Sequence, residues 1–499
     1  MVRIGRAVST YGLTLAGLCR VAAIRHGRDV VLIDDGGPVT AEQLDRWSAT
    51  VAGELGNRGI VVSGGKLGVL ARSGRGLVVA TIAANRLGAD AVLLHPAFSA
   101  TQMAELLRVE ELHVVVHDDE FGDLLAAARF RGQSILADTN TPGVTSLRSM
   151  QALPQATLPT PTRPGRLVII TSGVTGPPRR ARRGGAGPAA GLPLTTLVRR
   201  LELPRGAPML ITPPLHQAFG VQFFALALGL GCPALVTSRF DADRALRLIH
   251  EHQVATLVAT PTALMAMADA LGTEPSPPSL RVVVAGGGSL LANRWRRVVD
   301  AFGPIVHHVY GSAETGWCTV AGPADLDASP GSIGRPVAGI DLRIVDADGR
   351  WAPAGAVGRL LVRSPLAALD GAGPRPPGTP EGFVDTGDLA RLDDRGRYVV
   401  VGRAAERISR GERDVYLDAI EDAVLGHSAV ADVSVTAEPA ATGTRLIAHL
   451  VVRSDRSPDH DEVVRSVRDQ LGPESAPDEI RVVTSIATTD TGRRTRVHG

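Results

Sequence analysis

Leu167-Val168-Ile169-Ile170-Thr171-Ser172-Gly173-Val174-Thr175-Gly176-Pro177-Pro178-Arg179-Arg180 is the stretch from which the rest of the chain is read. Its four leading apolar residues read as a buried strand, and a run of small hydroxyl and glycine residues follows at once. Such a loop can wrap backbone N–H groups and hydroxyls around a polyphosphate, because glycine lets the main chain approach closely. The arginines after it supply positive charge where phosphates would sit. The same residues also suit an ordinary Gly/Ser/Thr linker, since Pro161, Pro164, Pro177 and Pro178 flank them. The loop is not a G-x-x-x-x-G-K-[ST] pattern. On this stretch alone both readings stay open.

The whole chain narrows the choice. Its 499 residues allow roughly two to four domains, each with its own core. A hydrophobic fraction of 44% with 21% charge is that of an ordinary globular protein. A net charge of +2 argues for neither nucleic acid nor membrane as a partner, and 3% aromatic residues argue against stacking platforms for single strands. Lys66 is the only lysine, so an arginine in place of a lysine carries less signal here than usual. Cys19, Cys232 and Cys318 lie far apart and form neither a disulfide framework nor a metal pattern, which fits a reducing cytoplasm. Residues 6–19 faintly resemble a signal peptide, but the apolar stretch is short and Arg20 interrupts it. A surface helix is expected there, with membrane contact at most peripheral, on the inner face. No apolar run reaches the ~18 residues of a spanning helix.

Organisation follows from periodicity. Val30–Asp34 reads as a strand, Gly36-Gly37-Pro38 as a turn, and Thr40 as the cap of a helix starting at Ala41. Leu67–Leu70, Ala91–Leu94, Leu112–His117 and Ser134–Leu136 alternate with helical stretches, a βαβ pattern that implies parallel sheets covered by helices. Residues 137–165 read as a surface connection, and within the basic run Arg179–Gly185 the residues Arg182 and Arg183 read as part of an exposed, mobile loop. Strands at 208–212, 234–237, 254–260, 282–285 and 305–309 continue the alternation. From about 331 the texture turns β-rich, with a hairpin signal at Asp348-Gly349. The fold class is therefore α/β: a large N-terminal domain, 1–401, whose β-rich part is about 331–401, and a small α+β unit, 402–499.

Further motifs follow in order. Ala285-Gly286-Gly287-Gly288-Ser289 would let a flat ligand lie on the backbone, or simply form a tight strand-to-helix turn. Tyr310-Gly311-Ser312-Ala313-Glu314 joins an aromatic ring to a carboxylate that can hold Mg²⁺. Asp388, in Thr386-Gly387-Asp388, is an acceptor suited to ribose hydroxyls or a turn aspartate bonding its own backbone.

These segments resemble, in order, the motifs of the adenylate-forming acyl-CoA synthetases, or AMP-dependent ligases, and look closest to bacterial fatty-acid–CoA ligases. TSGVTGPPRR is similar to TSGTTGxPKG, with Val174, Arg179 and Arg180 departing. YGSAE is similar to YGSTE, with Ala313 departing. Gly402 to Glu421, GRAAERISRGERDVYLDAIE, aligns without a gap to GRxDDxIxxGGENVxPxEVE, with Ala405 at the family's pivot. Residues 486–494 resemble PRTxTGKxxR, with Arg493 at the catalytic lysine. Pro214–Gly220 resembles PLFHAWG, leaving open whether His216 or Gln217 faces the carboxylate.

The resemblance implies a small, mobile C-terminal domain and the following roles. Thr171, Ser172, Gly173, Val174, Thr175, Gly176 and Arg179 would bind ATP phosphates. Gly287, Gly288, Tyr310, Gly311, Ser312, Ala313, Asp388 and Arg403 would hold base, ribose and phosphate. Thr171 and Glu314 would hold Mg²⁺. Arg410, Gly411 and Glu412 would meet CoA, and Arg493, Glu314, His216 and Gln217 would serve the chemistry. A fatty acid or other small carboxylate would be activated by ATP to an acyl-adenylate and passed to CoA. An acyl carrier protein as acceptor, or a catalytically impaired nucleotide- or acyl-binding homologue, are the alternatives. Arg stays cationic at position 493, but its planar fork differs from a point ammonium.

Overall fold

The computed structural model describes residues 2–138, 145–154, 158, 160–171, 179–183, 187–368, 381–410, 413–440, 443–453 and 458–486. Two large sheets carry the N-terminal part. One has six strands in the order Gln133–Leu136, Val114–His117, Lys66–Leu70, Asp90–Leu93, Leu167–Thr171 and Arg179–Arg183. All are parallel except the last, which returns antiparallel from Thr171↔Arg179 to Leu167↔Arg183. The other has thirteen strands. Its parallel centre places Met209–Ile211, Thr256–Ala259, Val282–Gly286 and Val306–Ser312 side by side. The β-rich stretch from Ser332 to Arg403 extends this sheet antiparallel beyond Gly316–Ala321.

Local chemistry explains why these elements form where they do. Thr40 accepts the Gln43 N–H at 3.2 Å while the Gln43 amide oxygen accepts the Thr40 N–H at 2.9 Å, so the Ala41–Asn57 helix starts on a reciprocal cap. Thr260 caps Pro261–Leu271, where proline at the first turn costs no hydrogen bond. Val114–His117 and Val282–Gly286 are buried throughout, as strands covered on both faces require. One apolar core runs from Val69, Leu93 and Ile169 of the smaller sheet through the helices to Phe223, Phe224, Val284 and Val309.

Three expectations are revised. Arg182 and Arg183 lie on a strand, Arg179–Arg183, and not in an exposed loop: Ala181 beside them is fully buried and the strand's backbone completes the hairpin. The connection 137–165 contains a short helix, Leu147–Gln151, capped by Ser146. The N-terminus forms two helices, Val2–Tyr11 and Leu15–His26.

Beyond Arg403 the chain builds the hairpin Arg407–Arg410/Arg413–Tyr416, the helix Leu417–Leu425 and a sheet of Val430–Ala440, Gly443–Val452 and Glu479–Val482. Leu417, Ile420 and Val424 share a core with Leu290, Trp295 and Val298 of the N-terminal part. The helix Leu417–Leu425 thereby packs on the helix Ala292–Phe302.

Candidate active site

Three of the segments singled out by sequence, Pro214–Gly220, the glycine loop and Tyr310–Glu314, end or follow neighbouring strands of the parallel centre, at whose carboxyl ends open α/β sheets leave a crevice. Gly286 pairs with Val309, which puts the glycine loop beside Tyr310. Gly287 and Gly288 are exposed at the strand end. The ring of Phe219 lies against Gly286, where a Cβ would come within 2.6 Å of Phe219 Cζ. His308 is buried beneath this loop with Nδ1 at 3.3 Å from Ser332 O and Nε2 at 3.4 Å from Gly288 O. Burial pushes its pKa below the ordinary value, so the neutral ring donates to one of two carbonyls.

Tyr310 donates its hydroxyl to Asp388 Oδ2 at 2.6 Å. Burial, with the Asp388 carboxylate alongside, raises the phenol well above its ordinary pKa and keeps it a donor. Asp388 and Arg403 are cross-strand partners, and Arg403 Nε lies 3.5 Å from Asp388 Oδ1. The Asp388 backbone N–H donates to Thr386 Oγ1 at 3.1 Å, which fixes the turn that presents the carboxylate. An ionised carboxylate is acceptor-only, which suits it to ribose hydroxyls.

The Gly311–Gly316 turn is cross-braced. Ser312 Oγ accepts the N–H groups of Glu314 and Thr315, each at 3.2 Å, and Thr315 Oγ1 accepts the Ser312 N–H at 3.1 Å. Ala313 points its methyl into a small apolar cluster with Ala181 and Ala368, so it offers a ligand only backbone. Glu314 is half-buried and makes no ion pair among the described residues. No group of three or more His, Cys, Asp or Glu forms a cage among the described residues. A half-buried carboxylate without an ion pair among the described residues nonetheless fits Mg²⁺, which is usually held by one or two carboxylates plus substrate phosphates.

His216 is buried and packs edge-on against His95, with ring centroids 5.0 Å apart. Gln217 sits half-buried at the start of the helix Ala218–Leu230. His95 was not singled out by sequence; no spacing or motif connects it to His216. Arg183 was also missed. It donates Nη1 to Leu366 O at 2.8 Å and Nη2 to Ser312 O at 3.3 Å and to Ala313 O.

Arg410 is committed within the C-terminal unit, where it donates to Glu474 O at 2.9 Å and Ala476 O at 3.1 Å and pairs with Asp478 at 2.8 Å. Ser172, Gly173, Val174, Thr175, Gly176, Gly411, Glu412 and Arg493 lie outside the described residues, as do the side chains of Thr171 and Arg179.

A family model described as AMP-binding enzyme matches residues 19–369, and one described as AMP-binding enzyme C-terminal domain matches 419–493. A medium/long-chain fatty-acid–CoA ligase of Mycobacterium tuberculosis is 30% identical over 343 residues, 65% of this chain and 59% of the relative. The chain thus aligns with less than two thirds of that protein. A 2-succinylbenzoate–CoA ligase of Bacillus cereus is 28% identical over 404 residues, 80% of each chain. The crystal structure of the anthranilate CoA ligase AuaEII with anthranoyl-AMP matches with a TM-score of 0.85 at 22% identity, over 96% of this chain and 95% of that one. At such identity the likeness is one of fold: a large α/β domain followed by a small one.

Proposed function

The chain belongs to the AMP-binding enzyme family, and on that premise we propose that it is an acid–thiol ligase that activates a fatty acid with ATP and transfers the acyl group to CoA. The observation that supports it most is the meeting of Tyr310, Asp388 and Arg403 beside the exposed Gly287-Gly288 backbone. That is an acceptor, a donor and a cation around a flat platform, the set a nucleoside monophosphate needs. The fatty-acid assignment is supported by the Mycobacterium relative; succinylbenzoate and anthranilate, in the names of others, are the competing acids.

In this reading the substrate carboxylate attacks the α-phosphorus. An acyl–phosphate bond forms, the bond to pyrophosphate breaks, and the CoA thiolate then displaces AMP. Asp388 and Tyr310 fix the nucleoside, and the phosphate loop with Arg179 cradles the phosphates. Arg493 brings a cation to the developing charge. Preorganised charge of this kind is the largest catalytic effect available to such a site. Glu314, with Thr171, would hold Mg²⁺, which when bound neutralises phosphate charge. The three cysteines are buried and free, which supports a reducing cytoplasmic setting. Among the described residues no helix is long and apolar enough to cross a membrane.

ATP–pyrophosphate exchange over a panel of fatty and aryl acids, beside an Arg493→Lys variant, tests the reading. Exchange by the wild type with a fatty acid is expected, and mass spectrometry then distinguishes CoA from a carrier protein as acceptor. Activity in the lysine variant alone would mark a scaffold disabled at Arg493. Silence of both, with nucleotide still bound, would favour the binding-protein alternative.

A further inference from the structure

Arg183 has an unusual setting for a residue in a run as basic as Arg179-Arg180-Ala181-Arg182-Arg183. Strand alternation puts Ala181 and Arg183 on one face, and that face docks on the turn after Val306–Ser312 and on residues 366–368. Three backbone carbonyls from two separate segments, Ser312, Ala313 and Leu366, converge on one guanidinium. The planar fork of arginine can span them; an ammonium cannot. Its Nε–H is buried with no hydrogen-bond partner among the described residues. Burial pushes the group down to about 10, against the pull of Glu314, so it remains cationic at neutral pH. Leu366 leads to Ala368, whose N–H donates to Glu314 O at 2.7 Å, so the same three-way junction also holds the Glu314 backbone.

Arg183 closes the hairpin Leu167–Thr171/Arg179–Arg183, and the turn it holds carries Glu314. We infer that Arg183 is a positioning residue that locks the Glu314 turn to this hairpin, holding in place the carboxylate that would meet a metal–triphosphate. The inference rests on the nucleotide-binding part of the reading above, not on the identity of the acid. It makes a selective statement. Base and ribose are held by Gly287, Gly288, Tyr310 and Asp388, none of them a hydrogen-bond partner of Arg183; it meets the Tyr310 strand only at the carbonyl of its last residue, Ser312, so AMP binding should depend on it little.

The test is calorimetric binding of MgATP and of AMP to the full chain, as wild type, Arg183→Met and Arg183→Lys. Loss of charge-assisted hydrogen bonds to backbone should weaken MgATP by about tenfold or more in R183M and less in R183K, with AMP within about twofold of wild type. Equal weakening of both nucleotides, or no change in either, would overturn the inference. If R183M does not fold, R183K carries the same comparison, because it keeps the charge and loses the fork. A wild type that binds neither nucleotide would overturn the underlying reading as well. That result is distinct from a wild type that binds and a variant that matches it.

Discussion

The carboxylate of Asp422, in the C-terminal unit, accepts the backbone N–H of Asn293 at 3.0 Å, capping a helix to which it does not belong. It also accepts the Arg294 N–H at 3.1 Å. The helix Ala292–Phe302 has Leu291 at its cap position, which supplies no side-chain acceptor. Its first N–H groups therefore find a partner across the seam between the two parts, an arrangement the positive helix end favours. Asn293 Nδ2 adds a bond to Asp422 O at 2.8 Å, and Arg294 reaches Glu421 at 3.4 Å. Ser289, the residue after the glycine loop, contacts Asp418 at 3.2 Å. Docking of the small unit is thus built onto the loop that would carry the nucleotide base.

Asp422→Ala should loosen that seam by about 1 kcal/mol, the usual cost of a lost helix cap. Hydrogen exchange at the Asn293 and Arg294 amides reads it directly, and unchanged protection would sink the idea. Burial raises the Asp422 pKa against the pull of Arg294. A raised carboxylate contributes stability that is complete below its ordinary value and fades as pH rises through the shifted one. Asp422→Asn, which keeps an acceptor oxygen, should remove this pH dependence while retaining most of the protection.

His308 gives a pH prediction of the opposite sign. Its folded-state pKa lies below the ordinary 6.5 because the ring is buried. The unfolded chain therefore binds the proton first, and stability is full above that value and lost as pH falls through it toward the depressed one. Burial lowers His307 likewise, so its contribution adds. The melting temperature should fall on acidification below about 6.5, and His308→Gln should flatten the slope by a measurable part. A wild-type melting temperature constant between neutral pH and the carboxylate range would contradict the assignment.

Much of this architecture is legible in the sequence where apolar runs and caps coincide. Leu417–Leu425 and Val30–Asp34 form with the expected bounds. Tyr310, Asp388 and Arg403 are legible as separate motif residues. Their contact is not, because Tyr310 and Asp388 are 78 positions apart and only sheet order joins them. Arg179–Arg183 fails for a different reason. Four arginines in five positions have the composition of a solvated loop, and the strand is stabilised by hairpin pairing with Leu167–Thr171 and by carbonyls distant in sequence, which composition does not reveal. Asp422 likewise reads as a surface acid on an amphipathic helix until the opposite helix is seen to lack a cap.

Tyr310→Phe removes the hydroxyl that donates to Asp388 Oδ2. Hydrogen bonds to buried charged groups are worth about 1.5–3 kcal/mol, so AMP affinity should drop by about tenfold or more, with the fold intact. Asp388→Ala should cost at least as much, because it removes the acceptor offered to ribose as well. Titration of both variants with AMP and with pyrophosphate separates the effects. Weaker pyrophosphate binding in Tyr310→Phe would show that the pair acts on the whole site and not on the nucleoside.

Gly311 and Gly288 make a contrasting pair. An added Cβ at Gly311 would lie 2.0 Å from Gly316 O and 2.9 Å from Gly316 C, a clash with backbone that no side-chain rotation relieves. Gly316 cannot retreat, since its own φ is +74° and Leu366 Cβ and O stand 2.7 and 2.9 Å from where its Cβ would be. Gly311→Ala must therefore open the turn that holds Glu314, at a cost of about 1–3 kcal/mol or more, as overpacking does. At Gly288 the nearest atom to a new Cβ is Pro261 Cδ at 3.4 Å, an ordinary contact. Gly288→Ala should melt with the wild type and weaken AMP only through a crowded base platform. Gly311→Ala should lower the melting temperature and lose MgATP binding together. Equal melting of Gly311→Ala and wild type would mean that the turn has room to move and that Glu314 is less firmly held than the hydrogen bonds imply.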